Sequence, residues 1–133
     1  MSVPLPDGLL ELLRRPSPCF VATLMPDGSP QLRQTWVTTD GEHIVINTPS
    51  STQKAKNVGR DARVAVNIVD PDDTRRYWAV RGRVIATTSD GAAENIEELS
   101  HKYLGTPYPN YSGNPGPRLL MTIEADSVRS PRG

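Results

Sequence analysis

The sequence has little cysteine, few aromatic residues and no excess of either charge. Its 133 residues include one cysteine, Cys19, so neither an intrachain disulfide nor a Cys-x-x-Cys metal or redox pair is possible. Lys and Arg total 15, as do Asp and Glu, which gives a formal net charge of zero. Proteins that bind nucleic acids usually carry a basic excess and exposed stacking rings. With aromatic residues at 5%, we expect no nucleic acid partner.

Long apolar runs and the usual catalytic motifs are also absent. No stretch approaches the roughly 20 residues needed to cross a bilayer, and the N-terminus does not resemble a signal peptide. We therefore expect a cytoplasmic protein with no membrane contact. The sequence contains no G-x-S-x-G, no P-loop and no G-x-G-x-x-G. His43 and His101 fall in different predicted elements without partners at metal spacing, so no metal site is expected.

What the sequence does contain is many short apolar runs separated by prolines and glycines, of which there are 13 and 10. This pattern predicts six strands, at residues 20–25, 31–39, 42–48, 62–69, 77–87 and 119–128. It predicts short helices at residues 7–15, from Ser50 to about Val58, and at 92–104. Turn sequences join the first three strands into an antiparallel meander, and Gly82 is expected to mark a bend or a bulge. The predicted fold is mainly β, a six-stranded antiparallel barrel forming a single domain over residues 1–133.

One segment, residues 48–57, is a candidate anion site, because it leaves a strand and opens a helix. Ser50 and Gln53 have the spacing of a capping box. The free backbone N–H groups and the dipole of a helix start favour an anion, and nearby lysines would add charge-assisted hydrogen bonds. The candidate phosphate contacts are Ser50, Ser51, Thr52, Lys54 and Lys56. A solvated basic helix capped by its own serine explains these residues equally well.

Four stretches in order resemble the pyridoxamine 5'-phosphate oxidase-like superfamily of split β-barrel flavoproteins. Within it, the chain is most similar to the actinobacterial branch that uses the deazaflavin coenzyme F420. The stretches are residues 20–24 with 26–31, 47–57 with 61–64, 77–84 and 102–105. The resemblance implies an FMN-binding-protein-like split β-barrel. It also implies a homodimer with each cofactor in a groove between the subunits.

The resemblance also implies roles for particular residues. In such proteins the strand-to-helix segment binds the cofactor phosphate, and here Lys54, Lys56 and Asn57 match that pattern. The family often has a basic residue in place of Thr52 and arginine in place of Lys56, and a lysine cannot bind phosphate bidentately. The second strand packs against the isoalloxazine-like ring, which implicates Gln34, Thr35 and Trp36. The expected wall from the partner chain consists of Trp78, Tyr108 and Tyr111. Trp36 and Trp78 are equally compatible with core packing.

The expected activity is therefore that of a reductase. Reduced F420 would pass a hydride to an unsaturated or aromatic acceptor, such as an enone, a quinone-like compound or a tetrapyrrole. Because such a cofactor carries the chemistry itself, no catalytic residue is assigned. Two alternatives stay open: an FMN-dependent oxidoreductase, and a non-catalytic flavin or deazaflavin carrier. The acidic tail of F420 favours a basic groove, for which the candidates are Arg33, Arg60, Arg75 and Arg76.

Overall fold

In the part of the chain that the structure describes, a single curled antiparallel sheet carries three helices. The computed structural model describes residues 2–109 and 117–131. The elements are α1 (Asp7–Arg14), β1 (Cys19–Leu24), β2 (Pro30–Thr35), β3 (Val37–Thr39), β4 (Ile44–Pro49), α2 (Gln53–Arg60), β5 (Arg63–Val69), β6 (Tyr77–Thr88), α3 (Ala92–Leu104) and β7 (Arg118–Arg129). Within the described residues the strand order is β2-β1-β5-β6-β7-β4-β3, and every neighbouring pair is antiparallel. The predicted mainly β, split-barrel fold is confirmed.

The predicted count of six strands is wrong, because the described residues form seven. The second predicted strand, residues 31–39, is interrupted at Trp36 and becomes β2 and β3. β2 pairs with β1, while β3 pairs with β4 at the opposite edge of the sheet. Since one residue joins the two edge strands, the chain draws both edges together and the sheet curls. The expected meander is thus two hairpins, β1–β2 and β3–β4.

The two longest strands, β6 and β7, pair with each other, with register shifts at Arg81/Gly82 and at Val84/Ala86. A Cβ added to Gly82 would lie 2.2 Å from the carbonyl oxygen of Glu124 on β7. Only a residue without a side chain allows the two backbones to approach so closely. The predicted bend or bulge at Gly82 coincides with the first register shift, whose extra residue, Asp126, lies on β7.

The core lies inside the curl and is closed by α1. Leu9 and Leu13, four residues apart on one face of α1, are both fully buried. They join inward-facing side chains of the strands, including Val37, Ile44 and Ile123, in one apolar cluster. This helix therefore fills the barrel, and the loop that follows it lies beside the start of β1.

The start of α2 differs from the predicted capping box. Thr52, not Ser50, is the N-cap: its hydroxyl accepts a hydrogen bond from the Ala55 N–H at 3.2 Å. The Ser50 N–H instead donates to the carbonyl oxygen of Pro117 at 2.9 Å. Because the tertiary contact with the residue before β7 holds Ser50 in the turn, the helix begins three residues later, at Gln53.

Candidate functional site

A small pocket of about 340 Å³ lies at the start of α2. Its lining residues are Gln31, Arg33, Gln34, Thr52, Gln53 and Lys54. Lys54 is largely buried, and its ammonium group has no hydrogen bond or ion pair with any residue that the structure describes. Burial is the main cause that lowers the pKa of Lys54 to about 8; repulsion from Arg118 and Arg33 adds to it, and the Cys19 thiol opposes it. Since no described Asp or Glu lines the pocket, an anion would be stabilised there.

The other predicted phosphate contacts have different environments. Ser51 and Lys56 are exposed and Ser50 is half-buried; none of the three lines the pocket. Asn57 is fully buried. Its Nδ2 donates to Thr23 Oγ1 at 3.0 Å, and its Oδ1 accepts from Gln53 Nε2 at 2.8 Å. Asn57 therefore ties α2 to β1, and a direct contact between Asn57 and a cofactor stays a prediction.

A larger groove of about 560 Å³ adjoins this pocket. It is lined by Pro16, Pro18, Gln34, Thr35, Trp36, Asn47, Pro49, Ile96, Tyr103, Leu104, Tyr108 and Arg118. The Trp36 ring stacks on Tyr103, with centroids 5.4 Å apart and planes 9° apart, and meets the edge of Tyr108 at 6.4 Å. Gln34 belongs to both cavities. The structure thus brings the three predicted ring contacts next to the pocket of Thr52 and Lys54.

Tyr103 holds the groove together, a role that sequence reasoning missed. Its hydroxyl donates to the Ser17 carbonyl oxygen at 2.7 Å and accepts from the Val37 N–H at 3.2 Å. Burial raises the pKa of Tyr103. The neighbouring Lys102 donates to the carbonyl oxygens of Leu13 and Val37, and burial lowers its pKa to about 8. Residues 102–105 carried part of the family resemblance, which was the available signal, but the hydrogen bonds of the Lys102 and Tyr103 side chains reach residues far away in sequence.

Arg118 and Asn47 were also missed. The Arg118 Nε–H donates to Asn47 Oδ1 at 2.6 Å, and Nη1 donates to the Tyr108 hydroxyl at 3.2 Å. The guanidinium carbon lies 5.2 Å from the centroid of the Tyr108 ring. Asn47, only 4% exposed, is fixed in turn by the Ala92 carbonyl oxygen at 2.8 Å. Since Arg118 and Asn47 are 71 residues apart, no local pattern indicates this pair.

The predicted partner-chain wall is not assembled within one chain. Trp78 packs against α1, where a Cβ on Gly8 would lie 3.3 Å from the indole ring, and it lines a separate pocket. Tyr108, expected from the partner, instead lies beside Trp36 of the same chain. Tyr111 lies outside the described residues. A role for Trp78 therefore depends on a second subunit and stays a prediction.

The four arginines considered for a basic groove are not together. Arg75 pairs with Asp73 at 3.0 Å, and Arg76 with Asp70 at 3.6 Å. Arg60 donates to the carbonyl oxygen of Leu24 and to Asn57. Of the four, Arg33 is the one that lines the Lys54 pocket. Any basic extension of that pocket therefore begins at Arg33.

Over residues 2–109 and 117–131, no helix is long and apolar enough to cross a membrane. In the same ranges, no three His, Cys, Asp or Glu side chains are grouped to hold a metal ion.

Comparison with known families decides the kinship of this barrel. The family model of pyridoxamine 5'-phosphate oxidase matches residues 5–130. The chain belongs to this family. The family includes flavin-dependent oxidoreductases, and its fold binds flavins. This confirms the resemblance seen in the sequence.

Solved structures agree with the family assignment. An F420 reductase superposes with a TM-score of 0.81 and 29% identity over 94% of this chain and 98% of that one. A conserved hypothetical protein from Mycobacterium tuberculosis gives 0.71 and 25%, over 97% and 85%. HupZ from Group A Streptococcus gives 0.68 at 14% identity, over 97% and 95%, which is a likeness of fold alone. No curated protein sequence matches the chain significantly.

Proposed function

We propose that this member of the pyridoxamine 5'-phosphate oxidase family is a reductase that uses coenzyme F420 to transfer a hydride to an unsaturated or aromatic organic acceptor. One observation carries the proposal: a pocket lined by Lys54 and Arg33, and by no carboxylate among the described residues, adjoins through Gln34 a groove lined by aromatic rings. A cofactor that joins a phosphate to a planar ring has these same two parts. The similarity to an F420 reductase favours the deazaflavin over FMN.

The residues at the start of α2 fit the phosphate end. Lys54 is a largely buried cation beside Arg33, and the pKa of Lys54 is low because its charge is poorly solvated there. A bound phosphate would supply the missing counter-charge, and first-turn N–H groups of the helix would donate to it. Ser50, Ser51 and Lys56 would contribute at the rim, while Thr52 and Asn57 hold the helix in position.

The residues of the groove fit the ring end. Gln34, Thr35 and Trp36 would lie against the ring, and Tyr103 fixes the orientation of Trp36 by stacking. When bound, the reduced deazaflavin supplies the hydride. The protein's own task is to hold the acceptor over one ring face and to exclude water from the groove. The Tyr103 hydroxyl is committed to the Ser17 carbonyl oxygen, so we do not assign it proton transfer.

A second copy of the chain is part of this proposal. The outer face of β2, β1, β5 and β6 presents Leu32, 66% exposed, among small residues such as Ala65 and Ala79. An exposed patch that combines apolar side chains with the charged residues Arg81 and Arg129 is typical of an interface between subunits. Members of the family are commonly dimers. In such a homodimer, Trp78 of one subunit would complete the groove of the other.

Titration of the purified protein with F420 and with FMN, separately, tests the proposal. We expect saturable binding of F420 with the lower Kd, and oxidation of reduced F420 when conjugated acceptors are added. Tighter binding of FMN would favour the FMN-dependent alternative. Tight binding of F420 without turnover over a broad acceptor panel would favour the carrier. Binding of neither cofactor would overturn the proposal.

A further inference from the structure

Arg118 is a charged side chain that the groove leaves without a counter-charge. Among the described residues that line the groove, no other side chain is charged. Within residues 2–109 and 117–131, the side-chain hydrogen-bond partners of Arg118 are neutral, namely Asn47 and Tyr108. No described carboxylate forms an ion pair with it, and residues 110–116, which precede it, contain no Asp or Glu. A half-buried guanidinium of this kind favours an anionic ligand.

We propose that Arg118 binds a carboxylate of the hydride acceptor, so that the acceptors of this protein are planar, conjugated acids. The reaction in this statement rests on the proposed function above, whereas the anion subsite rests on the groove alone. The carboxylate lies at the Arg118 end of the groove, and the conjugated part of the acceptor lies along Trp36 and Tyr108.

Two neighbours hold Arg118 in a geometry suited to this role. Asn47 accepts from Nε, Tyr108 accepts from Nη1, and Asn47 is itself anchored to the Ala92 carbonyl oxygen. Within the described chain, Nη2 makes no hydrogen bond to a protein group. The end of the guanidinium is thus oriented and still able to donate. A guanidinium that is already held in place, with an N–H group still able to donate, binds a carboxylate with little loss of conformational entropy.

The position of Arg118 assigns it to the acceptor rather than to the cofactor phosphate. Lys54 and Arg33 line the small pocket, whereas Arg118 lines the aromatic groove. The charge of Arg118 nevertheless lowers the pKa of Lys54, so the two cations repel each other. One phosphate beside Lys54 and Arg33 supplies a counter-charge to that pocket and leaves Arg118 available for a second anion.

The test compares two planar probes that differ in charge, cinnamate and its neutral amide, cinnamamide. Binding to the cofactor-free protein is followed by quenching of Trp36 fluorescence in a Trp78→Phe background, where Trp36 is the sole tryptophan. We expect cinnamate to bind roughly 10- to 100-fold more tightly than cinnamamide. Arg118→Gln should abolish this preference. The control Arg63→Gln removes an exposed arginine that lines neither cavity and should retain it.

Each outcome separates this inference from the proposed function. Equal affinity for the two probes in the Trp78→Phe protein, or a preference that survives in Arg118→Gln, overturns the anion subsite. A loss of F420 affinity in Arg118→Gln as large as that in Lys54→Ala assigns Arg118 to the cofactor and also overturns it. An Arg118-dependent preference for cinnamate in a protein that binds neither F420 nor FMN supports the subsite and rejects the proposed function. If Arg118→Gln does not fold, Arg118→Lys keeps the charge without the fork, and the preference should fall several-fold.

Discussion

The indole ring of Trp36 lies parallel to the phenol ring of Tyr103, with ring centroids 5.4 Å apart. Trp36 is also the one residue between β2 and β3, which pair at opposite edges of the sheet. The Tyr103 hydroxyl bonds to Ser17 before β1 and to Val37 at the start of β3. The contact that closes the curled sheet therefore also builds the wall of the candidate site.

Replacing Tyr103 with phenylalanine should destabilise the protein while keeping the ring stack. Ser17 and Val37 are fully buried, so the carbonyl oxygen and the N–H that bond to the hydroxyl would lose a partner. We expect the free energy of unfolding to fall by about 1–3 kcal/mol in urea denaturation. Tyr77→Phe is the matched control, because Tyr77 is partly exposed and its hydroxyl makes no hydrogen bond in the described chain. Equal stability of the two variants would contradict a structural role for the hydroxyl.

Lys54→Ala should weaken cofactor binding much more than Lys56→Ala. Lys54 lines the pocket and is largely buried, whereas Lys56, two residues later on α2, is exposed. Loss of a charge-assisted hydrogen bond in a desolvated pocket costs about 1.5–3 kcal/mol, and loss of an exposed charge costs less than about 1 kcal/mol. Calorimetric titration with F420 measures both variants. Wild-type affinity in Lys54→Ala would reject the phosphate site.

Stability should rise as the pH increases from about 8 to 9. Burial lowers the pKa of Lys54 and of Lys102 from 10.5 to about 8. In this range the folded state releases these protons while the unfolded state keeps them, so folding is favoured as pH rises. Each lysine contributes at most about 1.4 kcal/mol per pH unit. Above pH 9 the buried Cys19 acts in the opposite direction, because burial raises its pKa from 9.0 to about 12.

Thermal melts at closely spaced pH values between 7.5 and 9 check this dependence. Lys54→Met should reduce the rise of the melting temperature with pH, because the variant lacks one of the two lysines that cause this rise. Added inorganic phosphate should also flatten the slope in the wild type, since a bound anion restores the pKa of Lys54. A melting temperature that decreases as the pH rises from 8 to 9 would contradict the prediction.

Gly82→Ala should be strongly destabilising, since its Cβ would lie 2.2 Å from the Glu124 carbonyl oxygen. Separating β6 from β7 at this bulge should cost on the order of 1–3 kcal/mol or more. Gly59→Ala is the control: it lies inside α2 with no atom within 4 Å of the added methyl group. That change should stabilise the protein by about 0.5–1 kcal/mol. In chemical denaturation, we expect the free energy of unfolding to decrease in Gly82→Ala and to increase in Gly59→Ala. A change of the same sign in both variants would contradict the close approach of the two backbones.

Leu32→Glu should convert the proposed homodimer into a monomer. Leu32 is 66% exposed on the outer face of the sheet, and a charge there would be buried against a second copy. Light scattering at micromolar concentration measures the mass. Val3→Glu, which alters another exposed apolar residue that precedes α1 and does not belong to this face, should leave the mass unchanged. A wild-type protein that is already monomeric would refute the interface.

Local patterning was sufficient for several elements. The helix predicted at residues 92–104 matches α3, and the strands predicted at residues 62–69 and 77–87 match β5 and β6 within one residue at each end. Each of these depends on a repeat along the chain: apolar residues alternate in a strand and recur every three or four positions in a helix. The Lys54 pocket was also partly predictable, because its helix start and lysine are neighbours in sequence.

The sequence by itself determined the short strands and most of the helix positions, since these depend on residues close together in the chain. Gly82 and the four family-like stretches also indicated the irregularity in β6 and the kinship with split-barrel flavoproteins. Only the tertiary structure decided that Trp36 breaks a strand, that Thr52 rather than Ser50 caps α2, and that Arg118 meets Asn47. No glycine or proline marks the break at Trp36. The Thr52 cap and the Arg118–Asn47 pair depend on contacts made when β7 joins β4. Such contacts exist only after the sheet has curled, so no periodicity along the chain records them.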